Sequence, residues 1–333
     1  MDRAVTYWET GSEDPRYNLA FEEYLLNSRT EGDHLLLWQN ERAVVVGRNQ
    51  NAEGEIDRAF VEAHGISVVR RITGGGAGYH DLGNLNYSFL TDAADGERQT
   101  MERFVLPVVS ALRKLGLEAE ASGRNDILVS GKKVSGTAQR LCHDRILHHG
   151  TLLFDTDLDL AAGALRADPE KFRSKGIVSV RSRIGNIRPF LGEEMDLPAF
   201  WAYLKKELAG DGAVEGQLCP AEREQIEELK RSRYDTWAWT FGASPRYDVF
   251  GRRRWNGGSL EFRGAVARGL LTEAAFCGDF LSRCPLDELT EALRGCPFRR
   301  ADVAAVLAQY PLKDCFGGIT EDEILETIFH SST

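Results

Sequence analysis

The stretch "RRITGGGAGYHDLGN", Arg70 to Asn84, sets bare backbone beside charge. Gly74, Gly75 and Gly76 lack a Cβ, so their N–H groups can approach an anion closely and in conformations that other residues avoid. Successive N–H groups form a concave nest that suits phosphate oxygens. Arg70 and Arg71 lie just upstream on an expected strand, "ISVVRRI". Neighbouring strand residues point to opposite faces, so only one of the two is placed to reach a pocket. There it could clamp a phosphate or carboxylate through two parallel hydrogen bonds. The spacing is neither that of a Walker A loop nor that of a GxGxxG fingerprint. A flexible turn is the other reading of three glycines, and the run alone does not separate the two.

A second cluster is "ASGRNDILVSGKKVSGTAQR". It reads as a hairpin turning at Ser130-Gly131, with Lys132 and Lys133 across from Asn125 and Asp126. Strand alternation puts Lys133 and Ser135 on one face. A lysine aimed into a phosphate site would offset negative charge during nucleophilic attack; a solvated hairpin lysine is the alternative. A third cluster is "HHGTLLF". His148 and His149 are expected on opposite sides of a strand, so that one could face a pocket and the other solvent. No third ligand stands at zinc spacing, and a satisfied structural histidine is the plain reading of each.

The elements that must position these residues are legible in part. Asp14 and Pro15 open a helix with Tyr17, Phe21, Tyr24 and Leu25 at helical spacing. "HLLLWQNERAVVVG" reads as two buried strands around Asn40-Glu41, "EIDRAFVEAHG" as a helix closed by Gly65, and "LNYSFL" and "RILHHGTLLF" as strands. Residues 97–115 and "LPAFWAYLKKELAG" read as further helices. Strands follow strands too often for repeating βαβ units, so the fold is expected to be α+β: helices on a mixed, largely antiparallel sheet.

The segment Ala209–Gln217, small and rich in glycine, reads as a linker. It separates a first domain, 1–210, from a second, 218–333. In the second domain "PAEREQIEELKRSRY" is expected as a helix, "TWAWTFG" and "RRRWNGGSLEFRG" as strands, with two short helices near the end.

The chain has 333 residues and a net charge of −10. That balance argues against an extended nucleic-acid surface but leaves room for a local basic pocket. No apolar run approaches a membrane span and the first residues lack an apolar signal segment, so a cytoplasmic location without membrane attachment is expected. Six cysteines without a CxxC pair read as reduced structural thiols.

In this order, "RRITGGGAGYHDLGN", "ASGRNDILVSGKKVSGTAQR", "HHGTLLFDTDL" and "KGIVSVRSRIGNI" resemble the lipoate–protein ligases. That family's signature is an Arg-Arg-x-x-Gly-Gly-Gly-x-x-(Phe/Tyr)-His-Asp loop, then a lysine in a Lys-x-Ser-Gly context. The likeness spans essentially the whole chain. "TWAWTFGASPRYDVF" and "LRGCPFRRADV" resemble the small accessory domain of bacterial members.

The resemblance implies a catalytic domain of the biotin and lipoate ligase fold and a small α+β accessory domain. It implies activation of lipoate or octanoate by ATP and Mg²⁺ to an acyl-AMP. The acyl group then passes to a lysine of lipoyl domains of 2-oxoacid dehydrogenase E2 subunits, or of the glycine cleavage H protein. By motif match Arg71, Gly76, Ala77, Gly78 and Tyr79 fall on ATP-binding positions. Lys133 falls on the catalytic lysine that touches both the nucleotide and the lipoyl carbonyl. Arg70, Gly74, Gly75, His80, Asp81, Asn125, Asp126, Ser135, Gly136, Thr137, His149 and Gly150 are expected around the acyl-adenylate, with Gly75 and His149 also on lipoate. The Mg²⁺ ligands stay open, with Asp126 a candidate. Gly78 departs from the valine of many members. The resemblance also implies an accessory domain that swings about 209–217.

Two rivals remain. An octanoyl or lipoyl transferase on the same fold needs a cysteine nucleophile. None stands in "EASGRNDI", and Cys142 after the hairpin lacks a matching context. A non-catalytic lipoate or nucleotide binder would have lost Lys133 or the glycines. A biotin ligase would carry an arginine-rich Gly-Arg-Gly-Arg loop, which is absent. A first domain starting near residue 1 leaves no room for an N-terminal helix-turn-helix.

Overall fold

A computed structural model describes residues 4–93, 101–123, 125–166, 183–192, 195–242 and 249–329. The motif portion "KGIVSVRS", residues 97–100 of the expected helix and "ASPRYD" of the accessory signature lie outside the described residues.

Helix α1, Pro15–Ser28, starts as its sequence dictates: Asp14 accepts a hydrogen bond from the Arg16 amide at 2.9 Å, and Pro15 fills the first turn. Its buried face carries Leu19, Phe21, Leu25 and Leu26, and with them Glu22 and Glu23. Strands β1 (Thr6–Glu9), β2 (His34–Trp38), β3 (Ala43–Val46), β4 (Ser67–Arg70), β5 (Gly78–His80), β6 (Asn84–Asp92), β7 (Ala119–Ser122), β8 (Asp126–Val129), β9 (Lys132–Cys142), β10 (Arg145–Leu153) and β11 (Val214–Glu215) follow in chain order. Most of them form an eight-stranded sheet, β11-β1-β2-β6-β10-β9-β8-β7; β4-β3-β5 form a small second sheet. The pairs β1/β11 and β1/β2 are parallel, and β2/β6, β6/β10, β10/β9, β9/β8 and β8/β7 are antiparallel. The two buried strands expected around Asn40-Glu41 are therefore not a hairpin; they belong to different sheets.

One face of the large sheet is covered by the helix Met101–Lys114 and the helix Leu197–Ala209. Phe104, Val108, Leu112, Phe200 and Leu204 pack there with Leu35, Leu37, Tyr87 and Phe89. Each such side chain contributes roughly 1.5–3 kcal/mol by leaving water. The face is thus fixed, and with it the register that aims every alternate residue the other way.

The C-terminal region holds a meander of β12 (Val249–Trp255), β13 (Gly258–Ala267) and β14 (Leu270–Gly278). Around it lie four short helices, Asp287–Ala292, Arg300–Leu307, Leu312–Phe316 and Glu321–Phe329, where two were expected. "TWAWTFG" is not a strand: Trp237–Thr240 is a single helical turn. Its aromatic composition suggests a strand, but its last two carbonyls are gathered by one arginine described below.

Contacts divide the chain into two compact units. One comprises 1–45, 56–69 and 78–236; the other comprises 46–55, 70–77 and 237–333. Val214 and Glu215 pair with β1, the Gly216 amide reaches the Tyr7 carbonyl at 2.7 Å, and the helix Pro220–Leu229 is tied to α1 by Arg29–Glu222 at 2.6 Å. Among the described residues no helix is long and apolar enough to cross a membrane.

Candidate active site

In the first unit the lysine hairpin turns at Ser130 and Gly131, with φ of 46° and 76°. Two successive left-handed residues make the tight turn whose twist matches the strands. A bulge follows: Leu128 faces Lys133, Ile127 faces Ser135 and Asp126 faces Gly136. The extra residue flips the alternation, so Lys133 and Ser135 do not share a face, contrary to simple counting. Ser135 is buried beside the Tyr87 hydroxyl on the core side. Lys133 rises with Asp126 on the other, its Nζ 2.7 Å from the Asp126 carboxylate.

Register carries that second face across the sheet. Asp126 opposes Gly136; two residues on, Ala138 opposes His149, which opposes Ser88. The Gly136 amide donates to Thr151 Oγ1 at 3.2 Å. Asn125 is bonded to Thr137 through both backbone and side chain, which holds the mouth of the hairpin, and Gly150 pairs with Thr137 and Tyr87. His149 Nδ1 lies 2.8 Å from Glu22 Oε1, which also accepts from Ser88 Oγ at 2.6 Å; Ser88 in turn accepts from Trp38 Nε1 at 3.0 Å. The result is a buried polar string, Trp38–Ser88–Glu22–His149, on the face that bears Lys133.

Sequence reading missed Glu22. The signal was present: Glu22 lies three residues after Leu19 and four before Leu26, on the apolar stripe of its helix.

The two histidines depart from expectation, since neither faces solvent. His148 is fully buried, stacked on Phe104 at 4.8 Å, and neither ring nitrogen has a hydrogen-bond partner in the structure. Burial, with His149 adjacent, pushes its pKa down to about 3.

β5 places Tyr79 and His80 in the interior, with His80 Nδ1 3.1 Å from Asn40 Nδ2. Asp81 accepts from the amides of Gly83 at 2.9 Å and Asp157 at 2.8 Å, so its carboxylate shapes a turn. Burial raises its pKa, and those amides oppose the rise.

In the second unit the glycine loop is held by its own arginines. Arg70 is buried and donates to the carbonyls of Gly47, Arg48, Gln50, Trp239 and Thr240 at 2.7–3.0 Å. Burial lowers its pKa to about 10, which leaves it charged at neutral pH. Arg71 donates to Gly74 and Gly76 carbonyls at 2.8 and 2.7 Å and to Thr73 Oγ1 at 2.9 Å. Both guanidinium groups thus organise backbone. Gly75 takes φ +88°, open to glycine at no steric cost, and its amide donates to the Phe280 carbonyl at 3.1 Å. A Cβ on Gly74 would meet Ser282 N at 2.8 Å and Phe280 O at 2.9 Å. Gly76 and Ala77, and Gly78 at the start of β5, are only half-buried.

The nearest rival nucleophile, Cys142, ends β9 and lies nine strand residues from Lys133. At about 3.3 Å per residue that is roughly 30 Å. It is unsuited to act at the lysine.

Known proteins resemble this chain in sequence and fold. Residues 14–209 match the lipoyl protein ligase A/B catalytic domain, and residues 244–328 match the bacterial lipoate protein ligase C-terminus. Lipoate-protein ligase LplJ of Bacillus subtilis is 40% identical, over 95% of this chain and 97% of its own. A solved archaeal bi-partite lipoate protein ligase, described with its E2 lipoyl domain, from Thermoplasma acidophilum is 32% identical; it covers 75% of this chain and all of its own, with a TM-score of 0.64. The structure of a lipoate-protein ligase A bound with ATP is 30% identical, over 73% of this chain and 99% of its own, at TM-score 0.62. This chain belongs to the lipoyl protein ligase A/B family and carries the bacterial ligase C-terminus.

Proposed function

We propose that this protein is an ATP-dependent, AMP-forming lipoate–protein ligase of the cytoplasm. It joins lipoate or octanoate to AMP, then passes the acyl group to a lysine ε-amine on a lipoyl domain or glycine cleavage H protein. The catalytic domain is the part up to about residue 210 and the accessory domain the part from about 218. The observation that carries the reading is the Lys133–Asp126 pair. It stands on the sheet face that bears the Glu22–His149 string, in a chain 40% identical to a named ligase over nearly its full length.

Adenylation must bring two anions together, a carboxylate and a triphosphate. Lys133, a partly exposed ammonium paired with Asp126, is suited to neutralise the oxygen that bridges them as the carboxylate attacks the α-phosphorus. Half-exposed amides of Gly76, Ala77 and Gly78, with Tyr79 beyond them, suit a phosphate or adenine edge. Arg70, Arg71 and Gly74 keep that backbone in shape, and Gly75 adds its amide to the nest when Phe280 releases it. Ser135, Gly136, Thr137, Asn125 and Gly150 fix the hairpin, and His80 and Asp81 fix the turn after β5. His149, buttressed by Glu22, stands on the sheet face that bears Lys133 and is suited to meet the acyl group there. No three His, Cys, Asp or Glu side chains gather as a metal cluster among the described residues. Mg²⁺ on a nucleotide needs only one or two carboxylates besides phosphate oxygens, and Asp126 fits that demand. Such an ion would supply neutralising charge on the phosphates. In the second step the acyl-AMP carbonyl meets a neutral acceptor amine, and positioning supplies the rate.

The test incubates purified protein with ATP, Mg²⁺, a lipoyl domain or H protein, and lipoate or octanoate. Intact-mass analysis should show one acyl addition per acceptor, with pyrophosphate released. An acceptor acylated without ATP, from an acylated donor protein, would replace ligase by transferase. Absence of pyrophosphate and of acylation would leave a binder.

A further inference from the structure

Six cysteines are present, and two of them meet. Cys284 Sγ and Cys315 Sγ stand 3.0 Å apart in the C-terminal unit, closer than two sulfurs in ordinary contact, without being joined. Cys315 belongs to the helix Leu312–Phe316 and is almost fully buried; Cys284 is half-buried on the loop after β14. Their surroundings hold them in register. The Arg283 amide donates to the Asp314 carbonyl at 2.8 Å, and a Cβ on Gly317 would meet the Leu281 carbonyl at 2.4 Å. The Ser282 hydroxyl donates to the Cys284 carbonyl. Loop 280–284 therefore runs flush against the helix that carries Cys315. The other end of the same loop touches the glycine run, through the Gly75 amide on the Phe280 carbonyl and Gly74 against Ser282.

We propose that Cys284 and Cys315 are a dithiol site that small-molecule disulfides oxidise, and that its closure straps loop 280–284 to the helix Leu312–Phe316, so that Phe280 no longer releases the Gly75 amide to a phosphate and nucleotide binding weakens. The chemistry balances. The Cys284 thiolate, the more exposed sulfur, attacks one sulfur of the small disulfide and expels the first small thiolate, which takes up the proton Cys284 gave. Cys315 then attacks the Cys284 sulfur of the mixed disulfide and expels the second. Two cysteine thiols are oxidised to one disulfide, and one small disulfide is reduced to two thiols. Cys315 suits the resolving role: the hydrogen bond with Cys284, then burial, raises its pKa, so it keeps its proton until Cys284 has reacted. A phosphate in the nest needs the Gly75 amide. With the thiols apart the Phe280 carbonyl holds that amide by an exchangeable bond; with the loop strapped down the exchange is lost, and one charge-assisted hydrogen bond forfeited corresponds to about tenfold in affinity. The dithiol itself is independent of the ligase reading; its effect on the nucleotide rests on it.

The experiment treats the full-length protein with glutathione disulfide and compares it with a dithiothreitol-treated sample. Thiol titration should fall from six to four, and non-reducing peptide mapping should join the segments containing Cys284 and Cys315. Equilibrium ATP binding should weaken about tenfold, recover with dithiothreitol, and stay unchanged in Cys284→Ser under either treatment. A retained count of six, a disulfide between other cysteines, or a Cys284–Cys315 disulfide with unchanged ATP affinity would each overturn the proposal. Pyrophosphate release by the reduced protein, measured separately, reports on the ligase reading: its failure leaves the thiol count and the peptide map to judge the dithiol.

Discussion

His148→Phe tests whether the sheet's core face is as dry as its packing implies. The His148 ring is sandwiched by Phe104 and Tyr87, at 4.8 and 6.4 Å, with no partner for either nitrogen. Its folded-state pKa is about 3, against about 6.5 for an unfolded histidine. The unfolded chain therefore binds the proton more tightly. Stability from this group is complete above about pH 6.5 and drains away as pH falls from there toward 3. Between pH 7 and pH 5 the loss is about 2 kcal/mol, from about 1.36 kcal/mol per unit over the 1.5 or so units below the unfolded value. Phenylalanine keeps the ring and the stack and cannot take the proton. At pH 7 the variant should lie within about 1.5 kcal/mol of the parent, as volume-conserving core changes do. At pH 5 it should have gained about 2 kcal/mol on it. Urea unfolding followed by far-ultraviolet circular dichroism at both pH values reads the difference. Every other titrating group is common to both proteins and cancels. A gap between variant and parent that is equal at pH 5 and pH 7 would show that His148 is hydrated or already protonated in the folded state, and the dry-core reasoning would fail.

Lys133→Ala should reduce lipoate-dependent pyrophosphate release to background while changing unfolding free energy by less than about 1 kcal/mol, because its ion pair with Asp126 is one-third exposed; residual adenylation near the parent rate would remove it from the mechanism. Glu22→Ala should cost about 2–3 kcal/mol in urea unfolding, since Ser88 and His149 each lose a buried acceptor; a neutral result would mean that water takes over both bonds. Gly74→Ala should cost about 1–3 kcal/mol in urea unfolding, because a Cβ there strikes backbone atoms of Phe280 and Ser282; an unchanged unfolding free energy would mean that the loop shifts aside freely.

Where local chemistry decides the backbone, the sequence was readable. Asp14 with Pro15 opens a helix, and Ser130-Gly131 closes a hairpin, because each signal is complete within a few residues. The family resemblance and the α+β fold class were legible for the same reason, since four motifs keep their order. What escaped depends on partners far along the chain. Trp237–Thr240 reads as strand by composition but is a helical turn whose end carbonyls meet Arg70, 169 and 170 residues away in sequence. Val214 and Glu215 look like linker because parallel pairing with β1 uses only their backbone, which no side chain advertises. The opposite faces of Lys133 and Ser135 come from a bulge that period-two counting cannot see. Glu22 was hidden by the habit of assigning carboxylates to solvent; its acceptors are satisfied by Ser88 and His149, 66 and 127 residues distant.

The five-carbonyl grip of Arg70 has a consequence for anyone who shortens this chain. Ending the protein after residue 236 would spare Lys133 and every strand of the large sheet, yet it would strip Trp239 and Thr240 from the guanidinium and Phe280 from Gly75. An interior cation would then keep three of its five acceptors, and the glycine run would lose the loop carbonyl that steadies it. The C-terminal third is thereby structural scaffolding for a motif that sits in the first quarter of the sequence. A fragment carrying every signature residue of the catalytic family would still be missing the masonry beneath one of them.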